Sequence, residues 1–249
     1  MKEILRTRSF AVYDDLLPAA DYERVWDFIQ LESYKPVHQK RWEKVWTLTD
    51  GTPLAGTGIF TRKTAGQAAE EDARYYPTRT GIDKLIEKIL ATAESFSHLI
   101  GKHDVDWTFV TAKAFRYPAG TGLSWHIDSK TPTGAYVFYA HPVWKSGWGG
   151  ELFIADESCF GQDLQSYKTT TTAQVEGGKV IGFRTEEVPS PFDDRRRNEI
   201  LSEIALGQYI QPKPNRLVVM RNGIPHCIRK VEPAAGENVR CSIAGFFQP

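Results

Sequence analysis

From Trp107 onward the chain offers six short runs, "WTFVTAKAFRY", "GAYVFYA", "GELFIA", "KVIGF", "NRLVVM" and "RCSIAGFF", rich in β-branched and aromatic residues and parted by Gly, Pro and Asn. Side chains of this kind fit a pleated, half-buried surface, and the residues between the runs turn the chain. Many short strands must bury their apolar faces against a second sheet or against themselves, so this half predicts a sandwich or barrel. The preceding stretch is helical instead. "DYERVWDFIQ", from Asp21, sets Val25, Phe28 and Ile29 at helical spacing. "GIDKLIEKILATAESFSHLIG" repeats the pattern through Ile82, Leu85, Ile86, Ile89, Leu90, Ala93 and Phe96, with Gly101 as its stop. The expected class is α+β, a single domain over 1–249, with 1–105 mainly helical support and 106–249 the β core.

Three segments stand outside that pattern. "KVWTLTDGTPLAG" alternates and then breaks at Asp50-Gly51, a hairpin signal, whereas "TRKTAGQAAEEDARYYPTRT" has no period and reads as loop. The stretch from Asp156 to Gly207 holds "YKTTTTAQVEGG", "EEVPSPFDDRRRNE" and a short helical pattern in "RNEILSEIAL". It reads equally as a lid over a site and as a solvated excursion.

Charge excludes some partners. Acidic and basic residues number 31 each and no long block has one sign, so neither nucleic acid nor an anionic membrane surface is expected as a partner. Three cysteines, Cys159, Cys227 and Cys241, lack CxxC spacing and are odd in number, which suits a reducing compartment. "MKEILRTRSFAVYDD" lacks the apolar region of a signal peptide, and no run approaches membrane-spanning length, so a cytoplasmic protein is expected.

Chemistry concentrates in "RYPAGTGLSWHIDS", Arg116 to Ser129. If Leu123 to Ser129 is extended, alternation sends His126 and Asp128 to one face and Trp125 and Ile127 to the other. An imidazole and a carboxylate suit a divalent metal of intermediate softness, and a third ligand is then needed. His38, His98 and His103 lie in the helical part and read as exposed or capping residues. His141 ends the run "YVFYAHPVW", where the chain has not returned to the first strand. His226 follows the strand "RLVVM" and the turn "RNGIP", as a strand delivering a ligand from far along the chain would. It would complete a facial triad of two histidines and a carboxylate, although an HxD pair alone is weak evidence.

Further residues agree. Tyr117, Gly120, His126 and Asp128 reproduce YxxGxxxxxHxD, so the chain resembles the Fe(II)/2-oxoglutarate-dependent oxygenases of prolyl 4-hydroxylase type. "GWGGELFI", "PKPNRLVVM" and "PHCIRKV" resemble later strands of that family, in the same order, from about Thr111 to Phe247. The resemblance implies a double-stranded β-helix, or jelly-roll, with the metal between two sheets and the N-terminal helices outside one of them. It implies His126, Asp128 and His226 as ligands of Fe(II), and 2-oxoglutarate and O2 as cosubstrates. Arg240 stands where the superfamily places its basic grip on the far carboxylate of 2-oxoglutarate. An Arg-x-Ser strand, with Ser242 on the same face, is a sensible clamp for a dicarboxylate. Tyr117 matches a tyrosine that also reaches the cosubstrate.

Two features depart from the family: the close prolyl hydroxylases carry lysine where this chain has Arg240, and the 156–207 insertion has no counterpart. The implied reaction consumes 2-oxoglutarate and O2, releases succinate and CO2, and oxidises an unactivated C–H bond. A carboxylate at 128 argues against halogenation, because related halogenases carry a small residue there. Arg116, Trp125 and Asn222 are the expected substrate contacts, with Ser124 as an orienting group; Arg184, Arg195, Arg196 and Arg197 could meet a substrate carboxylate. The expected substrate is a small molecule, an amino acid or a natural-product intermediate. A prolyl or other protein side chain is the alternative, ahead of a methylated nucleic-acid base and of a non-catalytic jelly-roll that binds a metal or ligand.

Overall fold

The alternation of the β-rich half is realised on both faces of one large sheet. The structure, a computed structural model, describes residues 1–37, 48–63, 73–128, 131–157, 167–176, 179–189, 203 and 207–249. His38, Ser129, Cys159, Arg195, Arg196, Arg197 and, Glu203 apart, the helical pattern at 197–206 lie outside the described residues.

Before the β core the chain forms strands β1 (Lys2–Arg6), β2 (Phe10–Asp14), β3 (Lys35–Pro36), β4 (Leu54–Ala55), β5 (Ile59–Phe60) and β6 (Arg74–Tyr75). Helix α1 spans Ala19–Leu31, α2 Ile82–Thr92 and α3 Ser97–Ile100. The core strands are β7 (Phe109–Tyr117), β8 (Leu123–His126), β9 (Gly134–Tyr139), β10 (Leu152–Ala155), β11 (Tyr167–Glu176), β12 (Lys179–Pro189), β13 (Gly207–Ile210), β14 (Leu217–Arg221), β15 (His226–Ile228) and β16 (Arg240–Gln248). The larger sheet runs β1-β2-β14-β9-β16-β7-β4-β3, with β5 also on β7 and β6 on β5. The smaller sheet runs β13-β10-β15-β8.

Period-two burial divides the core between the two faces of the larger sheet. Ala11, Tyr13, Val110, Ala112, Tyr136, Phe138, Leu217, Val219, Ile243 and Phe247 pack on Val25, Phe28 and Ile29 of α1 and on Ile82, Leu85, Ile86 and Ile89 of α2. Their neighbours Phe10, Val12, Tyr117, Val137, Tyr139, Val218 and Met220 face the smaller sheet and meet Leu123, Leu152, Ile154, Ile210 and Ile228. Each such aliphatic or aromatic side chain contributes about 1.5–3 kcal/mol when fully buried, which fixes the register, because a slip of one residue would exchange the two faces.

Three local readings need correction. The expected hairpin at Asp50-Gly51 is a 3₁₀ turn, Leu48–Asp50, whose carboxylate is buried rather than set in a solvated hairpin tip; the first part of that run, 44–47, lies outside the described residues. The long helical pattern from Gly81 is divided by a 3₁₀ turn at Ala93–Phe96. Thr92 Oγ1 donates to the Lys88 carbonyl at 2.7 Å and Ser97 Oγ to that of Glu94 at 2.9 Å, bonds that draw carbonyls off the helix axis. The helical run still stops at Gly101, whose φ of 77° and close approach to Asp106 exclude a Cβ. Finally, "KVIGF" belongs to a longer strand, β12, paired with β11 as a ribbon inside the 156–207 insertion. The threonines of β11 are strand formers without an apolar face, so no periodicity announced them. Among the described residues no helix is long and apolar enough to cross a membrane.

Candidate metal centre

Strand pairing brings the two histidines together. In the antiparallel pair β15·β8, His226 lies directly opposite His126, so two residues far apart in sequence share one face of the smaller sheet. Their rings stand 4.2 Å apart between centroids at 56°. β8 ends at His126, so Asp128 reaches the site from just beyond the strand rather than by continued alternation. Its Oδ1 lies 3.7 Å from His126 Nε2 and its Oδ2 3.7 Å from His226 Nε2. Among the described residues these three form the one cluster that could hold a metal ion, with ligand atoms all within 4.8 Å of one another.

Both rings are oriented from behind. His126 Nδ1 donates to the Ser124 carbonyl and His226 Nδ1 to the Ile224 carbonyl, each at 2.9 Å. With Nδ1 protonated, each Nε2 presents its lone pair to the shared spot, which is the tautomer a metal requires. Two neutral imidazoles and one carboxylate on one side of an ion suit Fe(II) and leave the opposite positions open.

Between the sheets lies a buried cation. Arg240 is 0% exposed. Its place on β16, opposite Tyr117 of β7 and two residues before Ser242, which pairs with Tyr139 of β9, surrounds it with hydroxyl groups. Nη1 donates to Ser242 Oγ at 3.1 Å and Nε to the Gly150 carbonyl at 2.8 Å. The guanidinium carbon sits 4.9 Å and 5.0 Å from the ring centres of Tyr117 and Tyr139, a cation–π sandwich. Among the described residues Nη2 has no hydrogen-bond partner, and the Tyr139 hydroxyl, although beside the same guanidinium, makes no well-directed bond. Burial pushes the pKa of Tyr117 and of Tyr139 upward, against the opposing pull of Arg240, so both remain hydroxyl donors. A fully buried guanidinium with a free N–H beside two hydroxyls fits a carboxylate, and 2-oxoglutarate supplies one.

Gly150 makes this approach possible. Its φ is 74°, and a Cβ there would stand 2.6 Å from Arg240 Cδ. Tyr139 and Gly150 escaped the sequence reading because the one looks like a core aromatic in "YVFYA" and the other like any glycine of "GWGG".

Two expected substrate contacts face elsewhere. Arg116 lies on the helix side of β7, the face opposite Tyr117, where Nη2 donates to the Ile29 carbonyl at the end of α1 at 2.6 Å and the guanidinium lies 4.4 Å from the Tyr34 ring. Asn222 builds the turn between β14 and β15: Nδ2 donates to the Pro132 carbonyl and Oδ1 accepts the Gly223 N–H, both at 2.7 Å. Trp125 is half-buried beside His126. Arg184 lies on the β12 ribbon.

The other described histidines have different tasks. His103 stacks on Trp107 with centroids 4.3 Å apart, and His98 lies on α3. His141 is 1% exposed; its Nε2 donates to the Pro212 carbonyl at 2.7 Å and its Nδ1 accepts the Cys241 N–H at 3.2 Å. Burial pushes its pKa down to about 4, so the ring is neutral in the fold.

Comparison with known proteins agrees with this geometry. No curated protein matches the chain significantly. Among solved structures, a Pseudomonas putida prolyl-4-hydroxylase is similar over 98% of this chain and 94% of its own, at 12% identity and a TM-score of 0.59. A 2OG-Fe(II) oxygenase family oxidoreductase from Burkholderia pseudomallei covers 96% and 85%, at 11% and 0.55. A Trichoplax adhaerens prolyl hydroxylase in complex with a hypoxia inducible factor peptide fragment covers 97% and 84%, at 14% and 0.53. Such identities carry the jelly-roll fold alone. Residues 112–248, from the middle of β7 to the end of β16, match the family model of the 2OG-Fe(II) oxygenase superfamily, more than half of the chain, so this protein belongs to that superfamily and is a 2-oxoglutarate-dependent dioxygenase.

Proposed function

We propose that the protein hydroxylates an unactivated C–H bond of a small molecule, an amino acid or a natural-product intermediate, while converting 2-oxoglutarate and O2 to succinate and CO2. One oxygen atom enters succinate and the other the product alcohol, so the balance closes without another reductant. Iron held by His126, Asp128 and His226 would supply the activation of O2. The protein's residues do the rest. Arg240 and Ser242, with the hydroxyls of Tyr117 and Tyr139, hold the far carboxylate of the cosubstrate. The Nδ1–H bonds of both histidines keep the ligand nitrogens aimed at one point.

The observation that carries this reading is Nη2 of a guanidinium with no exposure, unpartnered among the described residues and in the same inter-sheet space as the triad. It supports a buried anionic cosubstrate rather than a structural ion pair. Trp125 is assigned to the substrate side. A second reading, a side chain in a protein, takes support from the peptide held by the Trichoplax neighbour. Succinate formation by iron-loaded protein, with pooled low-mass metabolites in one arm and proline-containing peptides in the other, separates the two. The account expects stimulation by metabolites; stimulation by peptides alone would transfer the assignment to the second reading.

A further inference from the structure

We infer that Asp50 is a positioning residue for the metal ligand His126, an inference that rests on the proposed iron site. Asp50 lies outside the β core, in the 3₁₀ turn Leu48–Asp50, yet is 3% exposed. Its Oδ1 accepts two bonds from one residue, the Ser124 N–H at 2.8 Å and the Ser124 hydroxyl at 2.6 Å. Its backbone carbonyl accepts the Gly122 N–H at 3.0 Å. The turn is therefore fastened to both ends of the Gly122–Ser124 stretch.

Ser124 is the residue whose carbonyl receives His126 Nδ1–H at 2.9 Å. The chain of contacts thus runs from the Asp50 carboxylate to Ser124, from Ser124 to the imidazole, and from the imidazole to the ligand position. Strand pairing cannot do this work, because β8 is irregular here: between the pairs His226↔His126 and Ile228↔Leu123 it carries one residue more than β15. A bulge re-aims side chains. Ser124 sits in that bulge, and its N–H donates to Asp50 Oδ1. His226 needs no such support, since the carbonyl behind it belongs to Ile224, itself locked in the inter-sheet core at 2% exposure. The two histidines are held by different means, and His126 depends on a carboxylate brought from another part of the chain.

Partners behind a metal-bound histidine set its orientation and basicity, and their loss weakens metal affinity by roughly 10–100-fold. Asp50→Ala is expected to weaken Co(II) or anaerobic Fe(II) binding by that factor in folded protein. Asp50→Asn, which keeps the Oδ1 acceptor, should recover most of the affinity, and Ser124→Ala, which loses the hydroxyl bond alone, should fall between. At saturating metal the 2-oxoglutarate requirement should stay at its wild-type level in all three. A residue that only supported the fold would lower the melting temperature of the metal-free protein and leave metal affinity where it was.

The experiment is a direct metal titration of wild type, Asp50→Ala, Asp50→Asn and Ser124→Ala, with circular dichroism confirming that each is folded. Graded loss, largest in Asp50→Ala, intermediate in Ser124→Ala and smallest in Asp50→Asn, supports the inference. Should Asp50→Ala fail to fold, Asp50→Asn and Ser124→Ala decide it: unchanged affinity in Ser124→Ala together with weak binding by Asp50→Asn overturns it, as does a folded Asp50→Ala with wild-type affinity. If wild-type protein takes up no metal, the proposed function falls along with this inference, an outcome distinct from wild-type binding that the variants leave unmoved.

Discussion

A guanidinium taken wholly out of water costs several kcal/mol unless its N–H groups find acceptors. Arg240 finds two among the described residues, Ser242 Oγ and the Gly150 carbonyl, and leaves Nη2 for a ligand. Arg240→Lys keeps the charge but loses the planar fork, and is expected to raise the 2-oxoglutarate KM about 100-fold, a loss of ~3 kcal/mol, with iron content unchanged. Steady-state kinetics beside metal analysis checks both halves. Gly150→Ala should act in the same direction from a distance. Its methyl would stand 2.6 Å from Arg240 Cδ at a φ of 74°, so the cosubstrate requirement should rise and stability fall by about 1–2 kcal/mol. An unchanged KM in that variant would show that the guanidinium tolerates displacement. At this scale the sequence was informative where a motif has fixed spacing, as in Tyr117 to Asp128. It was silent where a role depends on which strand lies alongside, as for Tyr139 opposite Ser242 and Asp50 against Ser124.

Among the elements, α1 and the end of β9 are held by polar groups that composition does not reveal. Arg116 places its charge at the C-terminal end of α1, where free carbonyls and the helix dipole favour a cation. Arg116→Ala is therefore expected to reduce unfolding free energy by about 1–3 kcal/mol while leaving the 2-oxoglutarate KM within about twofold of wild type. Denaturant titration and kinetics together test this; unaltered stability in the variant would contradict the role at the end of α1. His141 ties β9 to β16 and to Pro212 in its neutral form. Its folded pKa, about 4, lies below the ordinary value of 6.5. The unfolded chain therefore binds a proton first as pH falls. The stability that His141 contributes is complete above pH 6.5 and is lost between there and about pH 4, by up to ~3 kcal/mol. His141→Gln should flatten the stability profile across that window, measured by denaturation at neutral and mildly acidic pH.

On the scale of the whole molecule, two sheets face each other with helices outside the larger one, and the candidate metal ligands come from the inner face. The strand-rich half was legible because apolar residues alternate on strands buried on both sides. What remained illegible was polar or short. β1 is exposed along its length and β3 to β6 span two residues each, too little for a period to show, so the part before the core carries strands as well as its helices. The pairing of β8 with β15 is a long-range event, and it, rather than either strand's own sequence, sets His126 opposite His226. The most direct test of the account is succinate formation from 2-oxoglutarate by Fe(II)-loaded protein in air, beside His126→Ala under the same conditions. The expected result is succinate from wild type and, in the variant, a loss greater than the ~10–100-fold that removing a partner behind a ligand costs; equal turnover by the two would contradict it.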